Sequence, residues 1–337
     1  MAKSGHRPAL RQRLETGLNG IWYRLAPPPW WLRLAGSLAA PLLLARPDRP
    51  TERPPVPLIV VGNLVAGGGG KTPLVAAIAT ELRALGLQVA VISRGYGGAE
   101  PSRPLRIEPD TPATIAGDEA AMLARSLELP VWVCRRRRRA MEAALNAGAD
   151  VIIADDGLQH RDLPRSLEIV VVDGERGFGN GRLLPAGPLR QPLSRLDQVD
   201  AVVVKGPGYP RGLSPGAFEV RLEPKALVSG ADGNRLPVDS LAPGPVDAVA
   251  GIADPGGFFR LLESRGYRLR RHRRPDHHRY VSGELEDLPG PVIVTAKDAV
   301  KLGELVQRSD WYLLEVALSL PEDFSDLVEQ HVRRFRV

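Results

Sequence analysis

Residues 61–74, VGNLVAGGGGKTPL, set four consecutive glycines directly in front of one lysine and one threonine. They follow an apolar run, LIVVGN from Leu58, and lead into TPLVAAIATELRALG, whose apolar residues recur at helical spacing. A glycine-rich turn between a buried strand and a helix lets backbone N–H groups converge on phosphate oxygens, and the helix N-terminus adds partial positive charge. Side chains are missing there because anionic oxygens must approach the main chain. In that reading Lys71 reaches the β- and γ-phosphates, and the Thr72 hydroxyl ligates Mg2+. The general pattern G-x-x-x-x-G-K-[ST] wants a further glycine where this chain has Val65.

Outward from the loop the same texture repeats. QVAVISRG, VWVC, DVIIADDG, EIVVVDG and DAVVVKG are short β-branched runs, while GDEAAMLARSLEL and RRRAMEAALNAG between them read as helices. This alternation predicts an α/β, P-loop NTPase-like fold: a mostly parallel sheet with helices on both faces. A P-loop needs a partner carboxylate for magnesium at the end of a neighbouring strand, and DVIIADDG supplies Asp155 and Asp156. Ligands sit at the C-terminal edge of such sheets, where adjacent carboxylates are costly unless hydrated or metal-bound. A helix cap or a solvated turn is the competing role for that pair. Near Pro207 the texture changes. FEVRLEP alternates, KALVSGADGNRLPV reads as a hairpin turning at Asp232 and Gly233, and VDAVAGIADPGGFFRLLESRG and GPVIVTAKDAVKLGELV resume the strand–helix pattern. The expected organisation is an amphipathic segment over residues 1–50, a nucleotide-binding lobe over 51–214, and a smaller α/β domain over 215–337 that closes the cleft.

The 337 residues are 43% hydrophobic and 25% charged, ordinary globular values that make disorder not the default, and the net charge of +6 implies anionic partners. Aromatics are only 5%, too few for basic residues interleaved with base-stacking rings, so nucleic acid is not expected. No obligate protein partner is evident. The single cysteine, Cys134, forms no internal disulfide and fits a reducing cytoplasm. In HRPALRQRLETGLNGIWYRL, Leu10, Leu14, Leu18, Ile21, Trp22 and Leu25 recur at helical spacing. WWLRLAGSLAAPLLLAR is apolar from Trp30 to Ala45 but interrupted by Arg33 and Pro41. A spanning helix needs about 20 mostly apolar residues. Tryptophans beside arginines and leucines instead suit a segment lying in the membrane interface, with packing on the chain's own core as the alternative.

Taken in order, VGNLVAGGGGKTP, SRGYGG, GDEAAMLA, ADDGLQHR, NGRLLPAGPLR, GIADPGGFF, PDHHRY and TAKDAVK resemble the tetraacyldisaccharide 4′-kinase (lipid A 4′-kinase) family, from about Leu58 to Lys301. The resemblance implies an enzyme that uses ATP and Mg2+ to phosphorylate the 4′-hydroxyl of an acylated glucosamine disaccharide 1-phosphate. It also implies peripheral attachment at the cytoplasmic face of the inner membrane. It makes Val65, Ala66, Gly67, Gly68, Gly69, Gly70, Lys71 and Thr72 the ATP loop, and that family too lacks the first glycine of the general pattern. Asp155 and Asp156 fall on its magnesium carboxylates, and Asp118 and His277 on its proposed base pair, with Asp276 beside them. The chain departs from the family at Gly69, usually small and polar, at Gln191 and Ala296, usually acidic, and at Arg274, where the family often has an aromatic before PDHH.

An aspartate that orients a histidine and stabilises its charged form makes a better base, so Asp118 and His277 would serve a sugar hydroxyl. Asp118 also suits a helix cap. Gln159 and His160, just past the carboxylates, and Asn180 and Arg190, flanking a Gly/Pro-rich loop, are candidate substrate contacts or structural residues. The Arg135–Arg139 run and the arginines from Arg268 to Arg274 are solvated faces or phosphate contacts. A membrane-bound nucleotide switch is the competing class. Guanine recognition wants Asn/Thr-Lys-x-Asp, however, and TAKD carries its lysine one position late.

Overall fold

Strands buried on both faces need apolar residues at every position, which is why the first half of the chain reads as unbroken apolar runs. The computed structural model describes residues 17–18, 20–24, 26–44, 52–241, 243–306 and 308–336. Leu10, Leu14 and Leu25 of the expected amphipathic helix lie outside the described residues, as do residues 45–51 of the connector.

The described chain enters through α1 (Trp30–Leu44), followed by β1 (Leu58–Gly62), α2 (Lys71–Ala84) and β2 (Val89–Ser93). A short strand, β3 (Leu105–Ile107), then α3 (Ala113–Ala116) and α4 (Asp118–Leu127) precede β4 (Val131–Val133). Next come α5 (Arg137–Asn146), β5 (Val151–Asp155), β6 (Leu167–Asp173) and β7 (Ala201–Lys205). The second lobe holds β8 (Phe218–Ser229), β9 (Arg235–Leu236), β10 (Pro245–Ala250), α6 (Pro255–Glu263) and β11 (Arg268–Arg273). It continues through β12 (Val292–Thr295), α7 (Ala296–Leu302) and β13 (Trp311–Ser319), before α8 (Glu322–Arg336).

Among the described residues the strands form one 13-stranded sheet in the order β11-β10-β12-β13-β8-β7-β6-β1-β5-β2-β4-β3, with β9 on β8. From β4 through β8 the neighbours of the first lobe run parallel, and β3 closes its edge antiparallel to β4. Alternate residues face opposite cores. Ile59 and Val61 join Leu74, Val75 and Ile78 on one side, while Leu58 and Val60 join Met141 and Leu163 on the other.

β8 belongs to both lobes. Its start pairs parallel to β7 at Phe218–Val220, and the rest pairs antiparallel to β13. The hairpin expected around Gly233 is present as β8 and β9, with Gly233 at φ 75.

The last helix departs from the expected division at residue 215. Phe324, Val328 and Val332 lie on one stripe of α8 and are buried in the first lobe's core with Leu74 and Ile78. The Phe324 ring meets Phe218 edge to face at 5.2 Å. Residues 218–319 therefore make the second lobe, and the chain returns to the first afterwards.

Near the N-terminus, Trp22 and Leu32 are buried, and the Trp22 indole donates to the Pro185 carbonyl at 2.9 Å. Gly36 lies against Ala186, where a β-carbon would have no room. The opposite face of α1 presents Trp30, Trp31, Leu34 and Leu38, with Trp30 73% and Leu38 71% exposed.

Candidate active site

The glycine loop runs from the end of β1 to the first turn of α2. Gly67 and Gly70 adopt positive φ, 99° and 81°, which any larger residue resists. Asn63, fully buried at the end of β1, donates through Nδ2 to the Gly67 carbonyl at 3.1 Å and braces the loop from within. A β-carbon at Gly69 would stand 2.8 Å from that same Nδ2, so the bracing asparagine fills the space a serine would need. Gly70 is backed by the Lys205 side chain, and Gly68 by Ala253 of the second lobe. Val65 and Ala66 are held from outside: Val65 bridges to Leu189, and the Ala66 amide donates to the Pro188 carbonyl at 2.7 Å.

At the C-terminal end of β5 the two carboxylates have divided roles. Asp155 accepts from Thr72 Oγ1 at 3.2 Å through Oδ2, while its buried Oδ1 has no hydrogen-bond partner among the described residues. Burial, reinforced by the charge of Glu119, pushes Asp155 up to about 7. Asp156 sits in a left-handed conformation at φ 53, with Lys71 Nζ at 3.5 Å and Arg190 Nη1 at 3.3 Å. Burial works against its charge, but Lys71, Arg190 and Arg137 outweigh it and hold Asp156 at about 2.

An orphaned, buried carboxylate oxygen beside a threonine hydroxyl fits a hard divalent cation that takes its other ligands from phosphate and water. Among the described residues no group of three or more His, Cys, Asp or Glu could hold a metal without such help. A folded-state value of about 7 lies above the ordinary 3.8. Asp155 therefore favours folding fully below about pH 4, and that contribution is lost as pH rises through 7. In metal-free protein the melting temperature should fall between pH 6 and pH 8, by less in Asp155→Asn, and Mg2+ with nucleotide should reverse the fall. Equal falls in both proteins would remove this role from Asp155.

The second cluster joins the lobes. His277 lies in the second lobe at φ 57, where it accepts a left-handed turn, and its Nδ1 is 3.0 Å from Asp118 Oδ2. Asp118 opens α4 in the first lobe. The Tyr96 ring meets the imidazole edge on at 5.1 Å. From α7, Lys301 approaches Asp118 at 3.8 Å, and Lys297 reaches Asp276 at 2.8 Å and Glu119 at 3.8 Å. Burial disfavours the Lys297 ammonium, yet Glu119 and Asp276 raise it above the ordinary lysine value. For Asp276 burial again opposes the charge, and Lys297 and His277 prevail to hold it low. Glu119 links the two clusters, since its charge bears on both Asp155 and Lys297.

The remaining expected residues divide. Arg190 reaches Asp156 and also Gln159 Oε1 at 3.4 Å, and Gln159 donates to the Asn63 carbonyl at 2.9 Å, so both stand behind the loop. Burial lowers His160 to about 4, keeping it neutral, and its carbonyl accepts from Arg165. Asn180 pins its own loop: it donates to the Ala186 carbonyl at 2.9 Å and accepts from the Arg182 amide at 3.1 Å.

Sequence reasoning passed over Asn63, Lys205, Glu119, Lys297 and Lys301. It also read Arg137 only as part of an arginine run, yet Arg137 is 2% exposed and donates to the Asp155 carbonyl at 3.3 Å. The available signal for Lys205 was its place at the end of VVVK, the same strand edge as Asp155. It pairs with Asp173 at 3.4 Å.

A family model described as tetraacyldisaccharide-1-P 4′-kinase matches residues 29–333, across both lobes and both clusters. The chain belongs to that family. Relatives named tetraacyldisaccharide 4′-kinase include one from Alcanivorax borkumensis, 43% identical over 314 residues, or 90% of this chain and 94% of the relative. Another, from Alkalilimnicola ehrlichii, is 47% identical over 265 residues, or 77% of this chain and 78% of the relative. Among solved structures, the "apo" form of LpxK from Aquifex aeolicus in complex with ATP is similar at 27% identity. Its TM-score is 0.70, over 96% of this chain and 99% of that one. The tetraacyldisaccharide 4′-kinase fold thus extends through the first lobe, the shared strand β8 and the returning helix α8.

Proposed function

We propose that the chain is an ATP-dependent kinase that transfers the γ-phosphate to the 4′-hydroxyl of a tetraacyldisaccharide 1-phosphate, a step of lipid A biosynthesis. The observation that carries the residue assignment is the 3.0 Å contact between Asp118 and His277, one from each lobe, with the charge of neighbouring Glu119 felt at Asp155. In this reading the amides from Val65 to Gly70 cradle the phosphate chain, and Lys71 supplies a buried positive charge at its end. Thr72 and Asp155 would hold Mg2+, with Asp156 beside them, and the ion would neutralise charge on the phosphate oxygens. Asp118 receives Nδ1–H of His277 and stabilises the imidazolium that forms when Nε2 takes the hydroxyl proton. The new bond joins the sugar oxygen to the γ-phosphorus, and the bond to the departing diphosphate breaks. Arg190 and Gln159 serve the nucleotide side in this reading, and Asn180 shapes the loop beneath α1.

The test is transfer of radiolabel from γ-labelled ATP with the disaccharide 1-phosphate present in detergent micelles. Label on the glycolipid is expected; release of free phosphate alone would replace the kinase with a nucleotide switch.

The glycolipid is a membrane lipid, and the exposed face of α1 is suited to meet it there. Among the described residues no helix is long and apolar enough to cross a membrane. In our reading Trp30, Trp31, Leu34 and Leu38 settle into the interface while Leu32 and Trp22 anchor the helix to the protein. The combined change Trp30→Ser, Trp31→Ser, Leu34→Ser and Leu38→Ser should shift the protein from sedimenting with anionic phospholipid vesicles to the supernatant. Undiminished sedimentation would assign that face another role.

A further inference from the structure

Two lysines of the TAKDAVK stretch remain outside the mechanism above, although both are nearly buried beside the Asp118–His277 pair. Lys297 Nζ lies 3.4 Å from His277 Nε2, the ring nitrogen opposite the one that faces Asp118. An ammonium has three donors and no acceptor, so as a hydrogen bond this contact calls for a lone pair on Nε2. We propose that Lys297 is a positioning residue that holds His277 in the neutral form bearing its proton on Nδ1, with Nε2 free to accept the substrate proton. The inference rests on the kinase reading, because only there does Nε2 have a proton to take.

The charges around the ring give the physical reason. Asp118 Oδ2 faces Nδ1 at 3.0 Å, and Asp276 Oδ2 stands 3.8 Å from Nε2. Two carboxylates at opposite ends would draw a proton onto each nitrogen, and a doubly protonated ring is useless as a base. Lys297 prevents this at the Asp276 end by binding Asp276 Oδ1 at 2.8 Å and presenting a positive charge to Nε2. At the other end Lys301 stands 3.8 Å from Asp118 but is tied mainly to Asp298 at 2.9 Å, so Asp118 keeps its pull on Nδ1–H. Glu119, 3.8 Å from Lys297, helps to fix the ammonium, and the Tyr96 ring meets the imidazole edge on. The Nε2 contact is the long one of the two that Lys297 makes by hydrogen bonding. A substrate hydroxyl can therefore occupy Nε2 while Lys297 stays on Asp276.

The experiment observes the ring directly, by long-range proton–nitrogen correlation of the 15N-labelled full-length protein, with His277→Gln identifying the signals. At pH 7.5 the unsubstituted protein should show Nδ1 protonated and Nε2 bare; a proton on Nε2 would overturn the proposal without reference to any variant. In Lys297→Met the doubly protonated ring should be more populated at that pH than in the unsubstituted protein. The acid limb of its kcat/KM profile should move upward by about one pH unit, the scale of a neighbouring-charge effect, with activity returning at alkaline pH. Lys297→Arg, again a donor without an acceptor, should keep the original limb. A uniform loss in Lys297→Met at every pH, with the limb unmoved, would reduce Lys297 to a structural ion pair and refute the role. If the unsubstituted protein transfers no label to the glycolipid, the kinase reading fails, whereas the ring spectra still decide the tautomer.

Discussion

Lys71→Ala is expected to abolish detectable phosphate transfer, a loss of at least about 10³-fold, at the upper end of what one preorganised charged donor contributes. Lys71 is 7% exposed at the first position of α2, and its ammonium lies 3.5 Å from Asp156. Removing it strips the loop of its own side-chain cation and leaves Asp156 with Arg190 and Arg137. Nucleotide binding should weaken as well, since the same charge meets the phosphates in the ground state. Steady-state transfer to the glycolipid and equilibrium titration with ATP measure the two effects separately. Transfer at the unsubstituted rate would remove the phosphate loop from the mechanism and with it the placement of Asp155.

The second large effect falls on the other lobe. His277→Ala should lower kcat by about 10²–10⁴-fold, the usual contribution of a positioned acid or base, while the dissociation constant for ATP changes little. That division follows from the architecture: the described partners of His277 are Asp118, Asp276, Lys297 and Tyr96, and none is a loop residue. An unchanged kcat would make the imidazole a fastener between lobes. A large loss of ATP affinity would show instead that the contact chiefly holds the nucleotide site together.

Much of the nucleotide half could be read before any coordinates, because its strands are buried on both faces and its loop chemistry is local in sequence. Val61 to Leu74 carries its own strand end, turn and helix start, and Asp155 follows an apolar run that fixes it at a strand edge. β11 was hidden for the opposite reason. RLRRHR has no apolar alternation; among the described residues it is an edge strand paired with β10 alone, and arginines on such an edge discourage further pairing. β13 and α8 were missed because their apolar residues pack against partners distant in sequence, β8 and the first lobe's core. Lys297 and Lys301 share the latter limit. Their value depends on Asp118 and His277 arriving from other elements, and spacing along one chain cannot reveal that meeting.

The return of α8 sets an order on synthesis. A ribosome that has released residues 51–214 has made the whole glycine loop and both carboxylates at the end of β5, Asp155 and Asp156, but not Phe324, Val328 or Val332. The apolar surface those three cover stays wet until translation passes residue 332, so the nucleotide-binding half matures last, although it is encoded first.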